Sequence, residues 1–233
     1  MEKSMKVRLV SYSQVAEDFD DFKSIPNLQD LVAYCARVSN PSNQSNTETS
    51  DRLLRYLIKN KHWSPFELVS ACLEITTSRD IARQILRHRS FSFQEFSQRY
   101  ADPLKELSFI SREARLQDIV NRQNSISIDE SIKENKQIIE HWEETQKRII
   151  RQSSVAYNWA IKAGIAKEQA RAVLPEGLIE SKIYMNGTLR SWMHYCELRS
   201  ANGTQKEHMD IAKACAKVIS KIFPILKDIV NEH

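Results

Sequence analysis

The chain has 233 residues, of which 41% are hydrophobic and 27% charged, with a formal net charge of +4 and a pI near 8.8. That balance is too apolar for a disordered chain and too mildly basic for a dedicated DNA-binding arm. No apolar run reaches the roughly 20 residues of a membrane span, and the polar start Met1 to Lys6 has no secretory core behind it, so a cytoplasmic protein with no membrane partner is expected.

Lys6 to Ser11 alternates apolar and polar residues and predicts a first strand. Apolar residues at helical spacing behind the turn Pro26-Asn27 predict a helix from Leu28 to Val38, and the Ser-, Asn-, Thr- and Pro-rich stretch Asn40 to Ser50 reads as a loop whose last residue caps a helix from Asp51 to Lys59. Proline then interrupts the unit His62-Trp63-Ser64-Pro65-Phe66-Glu67. Val69, Ala71, Leu73 and Ile75 alternate as a strand that leads through Thr76, Thr77 and Ser78 into a helix from about Arg79 to His88. A further strand is expected at Leu107 to Ile110, followed by a weakly patterned polar segment. Ser127-Ile128-Asp129-Glu130 has the form of a capping box ahead of one long helix, whose stripe runs from Ile132 through Ile138, Ile139, Trp142, Ile149, Ile150, Ala156 and Tyr157 to Ala160. A stripe of that length belongs to a core or a subunit interface. Lys167 to Val173 predicts a short helix stopped by Pro175, Leu178 to Met185 a strand, and Leu189 to Arg199 and Gln205 to Phe223 two last helices, the second broken by Pro224. The sum is an α+β chain: a helix-rich single domain over residues 1–233, with long helices around an antiparallel or mixed sheet and too few alternating units for a doubly wound one.

Only Gly164, Gly177, Gly187 and Gly203 are present, and no two share a short loop, which excludes glycine-rich phosphate loops. Phosphate must then be held by side chains and helix ends, above all by arginine. Cys35, Cys72, Cys196 and Cys215 form no C-x-x-C pair and no metal-binding cluster with histidine, so they read as four buried thiols, with neither disulfide nor metal expected. The densest chemistry lies in Arg87 to Tyr100, where fourteen residues hold three arginines, a histidine, a glutamate and three serines. Such a group either faces water or is neutralised by bound anions. Helical spacing puts Gln84, Arg87 and His88 on one face, and Phe91, Phe93, Phe96 and Tyr100 could wall a flat aromatic ligand. The same residues also fit a solvated helix end followed by a strand face, and composition alone leaves these readings open.

The spacing Arg87-His88-Arg89 then seven residues then Ser97 resembles the signature of the flavin-dependent thymidylate synthases. Ala36-Arg37-Val38-Ser39, His62 to Glu67, and the run from Arg171 through Pro175 to Arg199 resemble further motifs of that family in the same order. Leu68, Gln94 and Thr188 depart from its usual His, Asn and Asn, and one residue is inserted between Pro175 and Arg190. The resemblance implies methylation of dUMP to dTMP with FAD as cofactor, NADPH as reductant and methylenetetrahydrofolate as one-carbon donor, in a homotetramer with active sites at subunit junctions and no nucleic-acid partner. It assigns Ser39, Ser64, Arg87, His88, Arg89, Glu95, Thr188, Arg190 and His194 to FAD, and Gln84, Arg87, Glu95, Ser97, Gln98, Arg99, Arg171 and Arg199 to dUMP. Arg199 becomes the catalytic residue, its fixed charge set against the uracil ring. Ser97 has no neighbouring base to make it a nucleophile, so it is given a positioning role. A helical nucleotide- or nucleic-acid-binding module without catalysis is the alternative from another class, and a flavoprotein with a different substrate is the nearer one.

Overall fold

The computed structural model describes residues 5–231, so most of the polar start Met1 to Lys6 lies outside it. The chain opens with β1 (Lys6–Tyr12) and α1 (Leu28–Ala36), whose first turn is closed by Asn27 accepting the Asp30 N–H. α1 stops two residues short of the expected Val38. In α2 (Ser50–Lys59) the residue expected as the cap is already helical, and Thr49 before it makes no cap bond; its Oγ1 accepts from Arg37 instead, at 2.9 Å. A 3-10 turn at Ser64–Glu67 leads to β2 (Ser70–Ser78), which passes directly into α3 (Arg79–Ile85).

The expected continuation of that helix to His88 does not form. The N–H groups of Arg87 and His88 reach back only three residues, to Gln84 and Ile85 at 3.3 and 3.0 Å, and this tighter turn aims the chain into β3 (Ser92–Glu95). After α4 (Pro103–Glu106), Leu107 to Ile110 is not a strand but contributes one bridge, Phe109 to Ile179. The weakly patterned segment folds as a hairpin of β4 (Arg115–Gln117) and β5 (Ser125–Ser127). Ser127 is thus a strand residue and the expected capping box is absent: Asp129 accepts from Ser131, and α5 (Lys133–Lys162) starts behind Ile132 with no side-chain cap. α6 (Lys167–Ala170) and a 3-10 turn precede β6 (Glu180–Thr188), which begins and ends later than expected. Then come α7 (Leu189–Ser200), α8 (Lys206–Ile219, shorter than expected) and α9 (Leu226–Asn231), an additional helix beyond the break at Pro224.

β1, β2, β6 and β3 pair in that order, each pair antiparallel. Ala71, Leu73 and Ile75 of β2 stand opposite Gly187, Met185 and Ile183 of β6, all buried, so the period-2 alternation gives the sheet one apolar face. Full burial of Leu73 or Ile75 contributes about 1.5–3 kcal/mol each. Trp192 and Tyr195 of α7 and Ile211 and Cys215 of α8 belong to the same buried cluster, and Trp192 Nε1 donates to the Ala71 carbonyl at 2.9 Å. The opposite face is polar: Tyr184 Oη donates to Glu74 at 2.9 Å, and Arg8 pairs with the same carboxylate at 2.5 Å.

Gly187 is required by packing. A Cβ there would lie 2.4 Å from the Phe91 ring, which lies against this stretch of β6. Phe91 is therefore a core residue, 4.8 Å from Trp192 between ring centroids, and not the wall of an open ligand site, while Tyr100 is 79% exposed. Of the four thiols expected to be buried, Cys196 and Cys215 are, but Cys35 and Cys72 stay partly exposed because α1 and the polar sheet face cover them incompletely. The 30-residue α5 is about 45 Å long. Its stripe is largely uncovered within one chain: only Tyr157 and Ala160 of it are buried, while Ile138, Trp142 and Ile149 are exposed, as are Val155 and Trp159 beside them.

Candidate functional site

The turn after α3 carries Arg87, His88 and Arg89. Arg87 and Arg89 are exposed and, among the described residues, neither makes an ion pair. Two uncompensated guanidinium groups on one tight turn form a ready anion site. His88 is half-buried and lies edge-on to Tyr195, 4.9 Å between centroids. Its Nε2 accepts a hydrogen bond from Arg199 Nε at 3.0 Å, which places the His88 proton on Nδ1 and holds the ring neutral. Burial, then the Arg199 charge, lowers the His88 pKa below the usual histidine value. The end of α3 and the last turn of α7 thus meet at these two side chains. Gln84 joins them from α3, its amide bonded to Gln205 at 2.7 Å and to His208 at 3.2 Å.

Glu95, at the end of β3, faces a second cluster. It accepts from Ser181 Oγ at 2.8 Å, and Arg79 and Arg83 of α3 lie 3.4 and 3.8 Å from its oxygens. Ser97, Gln98 and Arg99 follow and meet α6: Arg99 lies 3.3 Å from the Glu168 carboxylate, while Arg171 Nε donates to the Glu168 carbonyl at 3.3 Å. Gln98 is 3% exposed and its Nε2 has no hydrogen-bond partner among the described residues, a buried donor that calls for an acceptor.

The start of α7 builds a third group. Thr188 caps the helix by accepting the Ser191 N–H at 3.2 Å, so its hydroxyl is already engaged within the helix end. Arg190 pairs with Glu67 of the 3-10 turn that also contains Ser64, and His194 stands edge-on to Trp63 with ring centroids 4.6 Å apart. Burial, then the Arg190 charge, lowers the His194 pKa. Ser191 Oγ donates to the Ser90 carbonyl at 3.2 Å and so ties this end of α7 to the arginine turn. Ser39 is exposed in the loop after α1, where buried Arg37 fastens the chain to the Asn46 carbonyl and Thr49.

Contacts within the single chain therefore link Gln84 through His208 to His88 and Arg199, Arg99 through Glu168 to Arg171, and Thr188 through Ser191 to the arginine turn. Ser39 makes no hydrogen bond to these groups among the described residues. A cavity of about 710 Å³ beside α1 is lined by Tyr12, Phe22, Lys23 and Lys221 among others, and none of the assigned residues lines it. Convergent polar side chains, rather than depth, mark the candidate site. Tyr195, Gln205, Glu207 and His208 were not singled out from sequence; Gln205 lies 121 residues from Gln84, and no local spacing signals such a pairing.

A family model described as thymidylate synthase complementing protein matches residues 22–225. A probable flavin-dependent thymidylate synthase of Paramecium bursaria Chlorella virus 1 is 46% identical over 94% of this chain and 96% of its own length. The flavin-dependent thymidylate synthase of Synechocystis is 44% identical over the same shares, 94% and 96%. Among solved structures, a UMP/dUMP methylase from Streptomyces cacaoi, bound with 5-bromo-dUMP, superposes with a TM-score of 0.75 at 22% identity, over 99% of this chain and 96% of that one, a likeness of fold. With most of its length matched in these ways, the chain belongs to the flavin-dependent thymidylate synthase family.

Proposed function

We propose that the chain methylates dUMP to dTMP with FAD as its flavin, NADPH as reductant and methylenetetrahydrofolate as one-carbon donor. The observation that carries this reading is the meeting of His88 and Arg199, 3.0 Å apart, beside the exposed and unpaired Arg87 and Arg89. The residues fit two anionic ligands. Arg87, His88 and Arg89, with Ser39, Ser64, Glu95, Thr188, Arg190 and His194, would hold the flavin; Gln84, Arg87, Glu95, Ser97, Gln98, Arg99, Arg171 and Arg199 would hold dUMP. The orphan Nε2 of buried Gln98 supports an acceptor-rich ligand at that position. The Thr188 hydroxyl is engaged with Ser191 at the helix cap, so a flavin contact there would compete with that cap.

The chemistry that the flavin supplies when bound is hydride donation to complete the new methyl group. The chain's own part is positional and electrostatic. Arg199 cannot lose its proton, and its Nε is committed to His88, so the outer guanidinium nitrogens remain to meet negative charge developing on the pyrimidine. A neutral His88 accepts from Arg199 without adding a competing positive charge. No thiolate is at hand: burial raises the pKa of Cys35, Cys72, Cys196 and Cys215. This supports activation of dUMP without a covalent enzyme bond.

A homotetramer fits the same reading. The uncovered apolar residues of α5 are what subunit contacts would leave exposed in one chain. A cytoplasmic setting goes with a biosynthetic reaction on nucleotide and folate. Family membership disfavours the non-catalytic binding module. The test is spectroscopic: the purified protein is expected to be yellow or to bind FAD on reconstitution, and addition of dUMP is expected to perturb the flavin absorption. A colourless protein that FAD cannot reconstitute would exclude the reading.

A further inference from the structure

Gln84 is held at both ends by groups outside the motif that contains the arginines. Glu207, in the first turn of α8, accepts from Gln205 Nε2 at 2.9 Å. Gln205 Oε1 in turn accepts from Gln84 Nε2 at 2.7 Å, Gln84 Oε1 lies 3.2 Å from His208 Nδ1, and His208 Nε2 lies 3.2 Å from Tyr195 Oη. A carboxylate can only accept, which fixes the direction of every bond behind it. Gln205 must turn its amide nitrogen to Glu207 and its oxygen to Gln84. Gln84 must then present its nitrogen to Gln205 and its oxygen to His208. His208 carries its proton on Nδ1, and Tyr195 donates to the bare Nε2.

Turning over either amide alone would set oxygen against oxygen, so the chain reverses as a whole or not at all. Reversal is blocked at the Glu207 end by its charge, while at the other end the 1%-exposed imidazole stays neutral and takes the tautomer that Gln84 dictates. The position of Gln205 agrees with this use: it stands at the N-cap of α8 but makes no cap bond, its side chain being spent on Gln84 and Glu207. Gln84 keeps one N–H and one lone pair for a ligand.

We propose that Gln205, Glu207 and His208, with the Tyr195 hydroxyl, are positioning residues that lock the Gln84 amide in one orientation for recognition of the nucleotide. The proposal rests on the reading that Gln84 contacts dUMP. It makes Glu207, which touches no ligand itself, a determinant of dUMP affinity acting only through Gln84.

The experiment is a double-mutant cycle read by calorimetric titration of dUMP into flavin-loaded protein. Glu207→Gln keeps the shape of the side chain but can donate as well as accept, and so releases the direction of the chain. It is expected to weaken dUMP binding about three- to tenfold with flavin content and thermal midpoint unchanged. In the Gln84→Ala background the same substitution is expected to do nothing further. Tyr195→Phe removes only the hydroxyl at the far end and should show the same dependence on Gln84. Unchanged affinity in Gln84→Ala would overturn the assignment of Gln84 to the nucleotide. Weakened binding in Gln84→Ala, with Glu207→Gln and Tyr195→Phe either silent or additive to it, would overturn the positioning chain and leave that assignment standing.

Discussion

Lowering the pH from 7 to 5 should draw a measurable part of the protein's stability from His208 alone. The imidazole is 1% exposed on α8, donates to Gln84 and accepts from Tyr195, and is faced by His88 from the turn after α3 and by Arg199 from α7. Burial first, then the Arg199 charge, pushes its pKa from 6.5 down to about 3. The folded-state value lies below the unfolded one, so the unfolded chain binds the proton more readily. The contribution is therefore complete above pH 6.5 and is lost progressively as the pH falls toward 3. At pH 5 the loss spans about 1.5 pH units, or about 2 kcal/mol at 1.36 kcal/mol per unit, a roughly thirtyfold fall in the folded-to-unfolded ratio. His88 and His194 are also lowered and add loss of the same sign, so the His208 share must be isolated. Urea unfolding at pH 7 and pH 5, at equal protomer concentration, should show that His208→Asn loses about 2 kcal/mol less stability across this interval than the unaltered protein. Equal losses in the two proteins would refute the claim that a neutral buried imidazole holds this position.

Two further outcomes follow from the packing and the site. Gly187→Ala sets a methyl group 2.4 Å from the Phe91 ring and, since Phe91 is wedged against Trp192, should lower stability by about 1–3 kcal/mol; an unchanged urea midpoint would show that the β6 and Phe91 contact is looser than described. Arg199→Ala should abolish dTMP formation while leaving most of the flavin bound, as judged by turnover and the visible spectrum, and near-normal rates would remove its role at the pyrimidine.

Strand β2 and helix α5 were readable because each has a long run at one period: Ala71, Leu73 and Ile75 alternate on an apolar sheet face, and α5 repeats its stripe over many turns. The hairpin β4–β5 was not readable. Its strands are three residues each, and Arg115 holds them together by bonds to Ser125 and Ser127 that leave no apolar pattern. The end of α3 was misplaced because Leu86, Arg87 and His88 have no helix-breaking residue among them; the turn is set by Phe91, which must reach the core above Gly187. Within the candidate site, the arginine turn stood out as a dense local cluster. The partners that order Gln84 did not, because Gln205 and His208 arrive from a helix more than a hundred residues away, and spacing carries no record of such contacts.

The central claim, that this chain makes dTMP by flavin chemistry, is tested most directly with dUMP tritiated at carbon 5. Tritium should pass to water only when methylenetetrahydrofolate, FAD and NADPH are all present, with dTMP formed in equal amount. Release that continues without the folate donor would contradict thymidylate synthesis by this protein.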